Sequence, residues 1–312
     1  MLFLDDQPEV LPPGTRLAQR YVLGELIGSG AMAQVYRATH EILALPVAIK
    51  VLSPACAGMS SVVERFFREA RAASAVRHEN VIEITDFGET ESGRPFMVME
   101  HLEGEDLAAT LRRDGPLPWE RARPLLLQIL AALQAAHDRA VIHRDMKPEN
   151  VFRTTRMGSD DFVKVLDFGI AKVLEEAGSP ANPLTLEGRI IGTPTYMPPE
   201  QCLGLPVDAR SDVYAVGILG YEMLTGRPPF DSEETSRVLY CHVHEEVPPM
   251  VKAAPHVRVP RRAEQVMLRA LEKHPKNRYA SARAFADALL EDVDPREPGL
   301  LQSLRGLFGR RQ

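Results

Sequence analysis

Positions 143 to 150 read His143, Arg144, Asp145, Met146, Lys147, Pro148, Glu149 and Asn150, and after a short hairpin comes Asp167-Phe168-Gly169. At this spacing Asp145 can stand beside an acceptor hydroxyl, while Asn150 and Asp167 offer oxygen ligands to a metal ion that bridges phosphates. The chemistry so outlined is phosphoryl transfer. It asks little covalent work of a protein, so these groups would act by positioning and by stabilising charge.

A second set lies upstream. Gly28-Ser29-Gly30-Ala31-Met32-Ala33 separates two strand-like segments, and glycines there let backbone approach phosphate oxygens without a side-chain clash. Alone, the loop could also open a dinucleotide-binding unit, and Ala33 stands where a third glycine would be. A dinucleotide fingerprint, however, runs directly into a helix, whereas here a strand, Gln34 to Ala38, follows. Val47-Ala48-Ile49-Lys50 lies on the third strand and Glu69 in mid-helix beyond it. A strand lysine can pair with nucleotide phosphates while a helix carboxylate fixes its position. The default for such a pair is a solvated contact of little weight; here the lysine ends an otherwise apolar strand, which argues against the default.

The elements that must hold these groups can be read from periodicity. Residues 1–20 are polar and carry Pro8, Pro12 and Pro13, a lead-in with little structure of its own. From Tyr21 to Val51 short β-prone pieces alternate with turns, predicting a small antiparallel sheet. Ser61 and Glu64 predict a capping box, and Val62, Phe66, Ala70 and Ala73 recur at helical spacing behind it. Two further strand-like pieces close the first half. After His101 helical periodicity dominates: a long run up to Ala140, then segments near Asp212 to Gly226, Arg261 to Lys273 and Ala280 to Leu290. The stretch from Glu100 to Glu105 reads as a hinge, and the polar hairpin insert Arg153 to Asp161 as no more than a long turn.

The ordered motif set resembles the eukaryotic-like (Hanks-type) protein kinases, in their bacterial serine/threonine branch, over residues 21 to 291. The resemblance implies an α+β, bilobal fold: a small antiparallel β lobe over 21–100 and a larger, mainly α-helical lobe over 105–291. It implies ATP as substrate with Mg²⁺, and protein serine or threonine hydroxyls as acceptors. Asp145 would accept or orient the hydroxyl proton, Lys147 would neutralise the transferring phosphoryl group, and Asn150 and Asp167 would hold the metal. ATP would lie against Ile27, Gly28, Ser29, Gly30, Ala31, Met32, Ala33, Gln34 and Val35. Lys50 and Glu69 would serve the phosphates, and Val35 and Ala48 would line an adenine slot. Met99 would be the gatekeeper, the backbone at Glu100 and Leu102 would bond the base, and Asp106 is a weaker candidate for the ribose. Gly192 to Glu200 looks like the segment that docks peptides, with Thr193 against Asp145 and Lys147. Glu200 would pair with Arg278, and Asp212 would brace the catalytic loop. Arg144 would bind a phosphate on the activation loop, for which Thr185 is the best-placed acceptor, although Glu187 could partly replace such a phosphate. Lys147 argues against a tyrosine kinase.

Competing readings fail on particular residues. A nucleotide-binding pseudokinase scaffold predicts loss of Lys50, Asp145 or Asp167; a small-molecule phosphotransferase lacks a docking segment like 192–200; a nicotinamide oxidoreductase needs a helix after the glycine loop. Composition adds bounds: 45% hydrophobic and 26% charged residues suit a folded globular chain, and a net charge of −6 gives no sign of a nucleic-acid partner. Three widely spaced cysteines indicate neither a disulfide framework nor a zinc site and suit a reducing, cytoplasmic setting. The N-terminus does not read as a signal peptide, and Tyr214 to Leu224 is too short for the roughly 20 residues of a membrane span. Residues 292–312 form a basic amphipathic tail with two readings, a membrane-surface or partner helix, or a helix that packs back or frays. The second is favoured, because one short basic stretch is a marginal anchor. With no sensor domain in the sequence, a signal would arrive through a partner, the tail, or homodimerisation of the small lobes.

Overall fold

Alternation with a period of two sends every second residue of a strand to the same face, and this organises the first unit. The computed structural model describes residues 10–30, 32–156, 158–168 and 194–291, the side chains of Arg65, Glu69 and Ala72 excepted. The chain divides into two units, Met1–Arg77 with Ile82–Glu103, and His78–Val81 with Gly104–Gln312.

In the first unit, β1 (Arg16–Leu17), β2 (Tyr21–Ser29), β3 (Ala33–His40), β4 (Leu45–Leu52), β5 (Ile84–Glu89) and β6 (Pro95–Glu100) form one sheet in the order β1-β2-β3-β4-β6-β5. All its pairings are antiparallel. Helices α1 (Pro54–Ala57) and α2 (Ser60–Ala75) lie between β4 and β5. Leu17, Leu23, Tyr36, Ile49, Val51, Phe96 and Val98 build one core. On another core Ala33, Leu52 and Met97 meet Val62, Phe66 and Ala70 of α2, the apolar stripe expected from the spacing.

Two local expectations need correcting here. The capping box does not form: α2 starts at Ser60 behind an extended Met59 that makes no side-chain cap bond. Ser61 is thus already inside the first turn, where it cannot act as the residue flanking the helix. Nor is the stretch before Tyr21 without structure of its own. Leu17 is buried, Gly14 N–H donates to Leu23 O at 2.7 Å, and Leu11 N–H donates to the Tyr36 hydroxyl at 2.9 Å. The prolines flagged a break in helix or strand, but β1 needs only two residues and an apolar leucine to close the edge of the core.

In the second unit, β7 (Gly104–Asp106) is followed by α3 (Leu107–Asp114) and α4 (Trp119–His137), and β8 (Val151–Arg156) and β9 (Ser159–Val165) complete a three-stranded sheet with β7. Then come α5 (Pro199–Cys202), α6 (Ala209–Thr225), α7 (Thr235–His244), α8 (Met250–Ala253), α9 (Arg261–Ala270) and α10 (Ala282–Leu290). Every residue of α6 from Ser211 to Tyr221 is buried, so α6 is the axis on which α4, α9 and α10 pack. The hairpin insert is more than a long turn: β8 and β9 pair antiparallel and are stitched by charge. Buried Arg153 donates to Asp161 Oδ1 (2.7 Å), Glu105 Oε1 (2.9 Å) and Thr110 Oγ1 (2.6 Å). Residues 78–81 join this unit because the Asn80 amide donates to Gln128 Oε1 (3.1 Å) and Val163 O (2.8 Å).

Candidate active site

The loop after α4 is held by one carboxylate. Asp212, in the first turn of α6 where the helix dipole favours an anion, accepts from His143 N–H through Oδ2 and from Arg144 N–H through Oδ1, both at 2.9 Å. His137 Nε2 meets Oδ2 as well, at 2.7 Å. Burial of Asp212 would raise its pKa, but the hydrogen bond from His137, the favourable electrostatics of the two neighbouring imidazoles and the His143 N–H bond outweigh it, and the carboxyl is held below its ordinary range. Arg144 adopts a left-handed φ of 66° between these anchors, and Asp167 one of 41°. Both are strained for residues with a side chain.

The ring of His143 then ties the two motif segments together. Its Nε2 lies 2.9 Å from Leu166 O and its Nδ1 accepts from Asp145 N–H at 3.3 Å; the Nε2–H tautomer satisfies both. Phe168 is buried against the same ring, with centroids 4.8 Å apart. A backbone bond from Leu166 N–H to Asn150 O (2.9 Å) brings the residue before Asp167 to Asn150. Lys147 Nζ is 3.0 Å from Asp145 Oδ2. Asn150 donates from Nδ2 to Asp145 O at 2.7 Å, which leaves its amide oxygen as an acceptor.

That donor set fits Mg²⁺. The ion takes oxygen ligands, binds through one or two protein groups, and fills its remaining positions with water and phosphate oxygens. Asn150 Oδ1 and the Asp167 carboxylate are hard oxygen donors on segments bonded to each other.

In the first unit the register sorts the remaining candidates. Val35 pairs with Lys50 and Ala48 with Met99, so Val35, Ala48, Lys50 and Met99 share one face. It is the face that carries Met97 and Ala33 against α2, the helix of Glu69. The Ala33 methyl is part of that packing. Gln34 goes the other way: its side chain is buried, with Oε1 accepting from Tyr36 Oη (2.8 Å) and Arg94 (3.2 Å). Any contact it makes with a ligand on the Lys50 face would be through backbone. A Cβ added at Gly28 or Gly30 would meet only ordinary contacts, at 3.6 and 3.7 Å, so the chain's own packing does not demand glycine there. Glu100 N–H donates to Glu83 O (3.0 Å), and Asp106 caps α3 through Oδ1 to Ala109 N–H (2.6 Å). Ala31, Gly169, Thr185, Glu187, Gly192 and Thr193 lie outside the described residues, as does the side chain of Glu69.

Beyond the loop, Arg278 and Glu200 form a buried two-pronged pair, both contacts at 2.7 Å. Burial would raise the Glu200 pKa, and Arg278 more than reverses this. The remaining guanidinium donors go to Glu272 O, Arg210 O and Lys273 O. Sequence reasoning missed three pairings. His137 was hidden as the last residue of an apolar helix. Tyr196 donates to Glu222 at 2.6 Å, and Tyr214 bonds His242 at 2.9 Å; neither pair has a local spacing that could signal it.

A two-unit α+β chain of this kind, with carboxylate, lysine and carboxamide on one braced loop, is of the protein kinase class. The protein kinase domain model matches residues 21–290, and the chain belongs to that family. It is 44% identical to the serine/threonine-protein kinase pkn3 of Myxococcus xanthus over 282 residues, 90% of this chain and 51% of that protein. With the serine/threonine-protein kinase PknB of Mycobacterium tuberculosis it shares 39% over 271 residues, 86% of this chain and 42% of that protein. The chain thus spans about half, or less, of these relatives' length. The crystal structure of the Mycobacterium tuberculosis PknI kinase domain superposes with a TM-score of 0.69 at 28% identity, over 91% of this chain and all of that one. The fold is the bilobal protein-kinase fold.

Proposed function

We propose that this chain is an active serine/threonine protein kinase that moves the γ-phosphate of ATP to Ser or Thr hydroxyls of proteins, with Mg²⁺ as the metal. The observation that carries this reading is the Asp145, Lys147 and Asn150 cluster on a loop held by Asp212. Asp145 orients the acceptor hydroxyl and takes its proton as the oxygen attacks. Lys147, already beside it, offsets charge on the moving phosphoryl group. Asn150 and Asp167 would hold Mg²⁺, which supplies charge neutralisation between the phosphates. Lys50 and Glu69 serve the phosphates from the first unit, and the space left at Gly28 and Gly30 supports close approach of a ligand to that backbone. A nucleotide-binding scaffold without transfer is not favoured, since Lys50, Asp145 and Asp167 are all present.

Arg144 and Thr185 are assigned to regulation, with autophosphorylation at Thr185 raising activity moderately. Exposed Ile42, Leu43 and Leu45 at the β3–β4 turn support pairing of two copies through the first unit. Three free cysteines suit the cytoplasm. No helix among the described residues is long and apolar enough to cross a membrane, and the tail is assigned at most weak contact with a membrane surface.

The test is transfer of labelled γ-phosphate from ATP with Mg²⁺ to a basic protein and to the chain itself, wild type against Asp145→Asn. Transfer should fall by about a hundredfold or more in the variant. Nucleotide binding without transfer by the wild type, across several substrates, would overturn the assignment. For Thr185→Ala, an unchanged rate relative to wild type shown to be phosphorylated would remove the regulatory role.

A further inference from the structure

Three helices of the second unit fix where α10 ends. Leu117 N–H donates to Met223 O at 2.6 Å and His137 meets Asp212 at 2.7 Å, so α4 starts beside the end of α6 and ends beside its start. Helix α9 also runs against α6: a Cβ added at Gly217 would meet Ala270 and Leu271, and one at Gly220 would meet both Met267 of α9 and Leu126 of α4. Helices α4 and α9 are therefore parallel. Helix α10 is antiparallel to α9, since Arg262 pairs with Glu291 at 2.6 Å and Arg269 lies over the Tyr279 ring. It is consequently antiparallel to α4 as well. It starts where Arg283 N–H donates to Gln134 Oε1 at 2.9 Å and runs toward the start of α4.

Gln134, Leu130, Leu127 and Arg123 recur at helical spacing and form one stripe of α4, in which Leu127 and Leu130 are buried. From Arg283 to Leu290 α10 advances about 10 Å, as far as α4 does from Gln134 back to Leu127. Arg123 lies one turn further along the stripe, past the last residue of α10.

The setting of Arg123 is unusual for a cation. The residue is 8% exposed, its guanidinium stands 5.8 Å from the centroid of the Trp119 ring, and its Nε has no hydrogen-bond partner among the described residues. The Nε1 of buried Trp119, one turn back, has none either. No carboxylate of the described residues forms an ion pair with Arg123, and Glu120 on the same turn is exposed. Pro118 caps the 19-residue α4 without a side-chain bond, and the start of such a helix favours an anion. A buried cation without a countercharge is costly. The position therefore calls for a carboxylate from another segment.

The chain carries two such groups at the matching point. Directly after Glu291 come Asp292, Val293 and Asp294, which lie beyond the described residues. Three extended residues span about 10 Å, more than the roughly 5 Å of one helical turn. We propose that Arg123 and the first turn of α4 form a socket for the Asp292 and Asp294 carboxylates, and that this contact latches the tail onto the second unit. The basic, leucine-bearing part of the tail, from Arg296 onward, then departs from a fixed point at the start of α4. The latch holds whether or not the chain transfers phosphate.

The full chain is compared as wild type, Asp292→Asn with Asp294→Asn, the same two positions changed to Glu, Arg123→Met, and Arg123→Met combined with the Asn pair. Deuterium exchange reports the amides of residues 121–123 and 292–297, and the emission of Trp119 reports the surroundings of the guanidinium beside it. The Asn pair should speed exchange in both segments about tenfold and shift the Trp119 emission, whereas the Glu pair should keep both near wild type. Arg123→Met, which retains the packing of the stem, should free residues 292–297 to the same extent. Adding the Asn pair to it should change nothing more, as expected of two halves of one contact.

Exchange at residues 292–297 within about twofold of wild type in the Asn pair, or effects that add in the combined variant, would overturn the proposal. So would a saturable shift of wild-type Trp119 emission with inorganic phosphate, or with phosphatidylglycerol vesicles, that Arg123→Met abolishes, because the socket would then be open to outside anions. Should Arg123→Met fail to fold, unchanged exchange at residues 121–123 in the Asn pair would refute the latch by itself.

Discussion

Replacing Asp212 by asparagine tests whether one carboxylate holds the catalytic loop. Its two oxygens receive three donors: His137 and His143 N–H on Oδ2, and Arg144 N–H on Oδ1. Asparagine offers one acceptor oxygen and turns an NH₂ group toward a peptide N–H. In its better orientation it keeps the Oδ2 pair, but Arg144 N–H and the new amide protons then face each other without acceptors. Two buried unsatisfied groups at about 1 to 3 kcal/mol each predict a loss of about 2 to 6 kcal/mol. Released from its anchor, the loop lets Asp145 and Lys147 drift, and a shift of about 1 Å costs roughly a hundredfold in rate. The chain's single tryptophan, Trp119, is buried at the start of α4, so its fluorescence in urea follows the second unit. Transfer assays give kcat and the ATP KM, the first expected to fall and the second to change little. Because the folded Asp212 pKa lies below its unfolded value, the carboxylate's contribution is complete above the unfolded value of about 3.9 and is lost as pH drops through the folded one. A variant with unfolding within about 0.5 kcal/mol of wild type and unchanged kcat would refute the brace.

Three further outcomes follow from other parts of the second unit. Gly104 has φ of 147°, and an added Cβ would lie 1.9 Å from Arg153 O, so Gly104→Ala should cost at least about 2 kcal/mol in the Trp119 transition. Glu200→Gln leaves a fully engaged, buried Arg278 without its countercharge; a loss of about 3 to 5 kcal/mol is expected, checked by the same transition. Buried His242, with its pKa lowered to about 4, stays neutral while the unfolded chain takes a proton near 6.5. Stability of the second unit should therefore be complete above about pH 6.5 and fall by about 2 kcal/mol by pH 5. That fall should vanish in His242→Phe, as urea midpoints at several pH values would reveal.

Where an interaction is local along the chain, residue order alone carries it. The run His143 to Asn150, with Asp167-Phe168-Gly169 beyond it, is a set of near neighbours whose order and spacing can be read directly, and it carries the resemblance to the kinase family. The stripe Val62, Phe66, Ala70 and Ala73 follows from helical period, and a strand after the glycine loop was enough to set aside a dinucleotide site. The period of two also implied a sheet over Tyr21 to Val51. All of this depends on turns, periods and side-chain types, which are properties of short segments.

What tertiary structure decided is pairing between distant segments. Alternation cannot say which face of a strand meets α2; the register does, and it turns Gln34 away from the Lys50 face onto Tyr36 and Arg94. The start of α2 fell at Ser60, because packing against the sheet outweighs a cap worth about 1 kcal/mol. His137, His143 and Asp212 come together only when α4 and α6 pack, and Tyr214 meets His242 only when α7 settles beside α6. Each of these contacts is bought by burial elsewhere in the fold, so no window of sequence around the residue itself contains the cause.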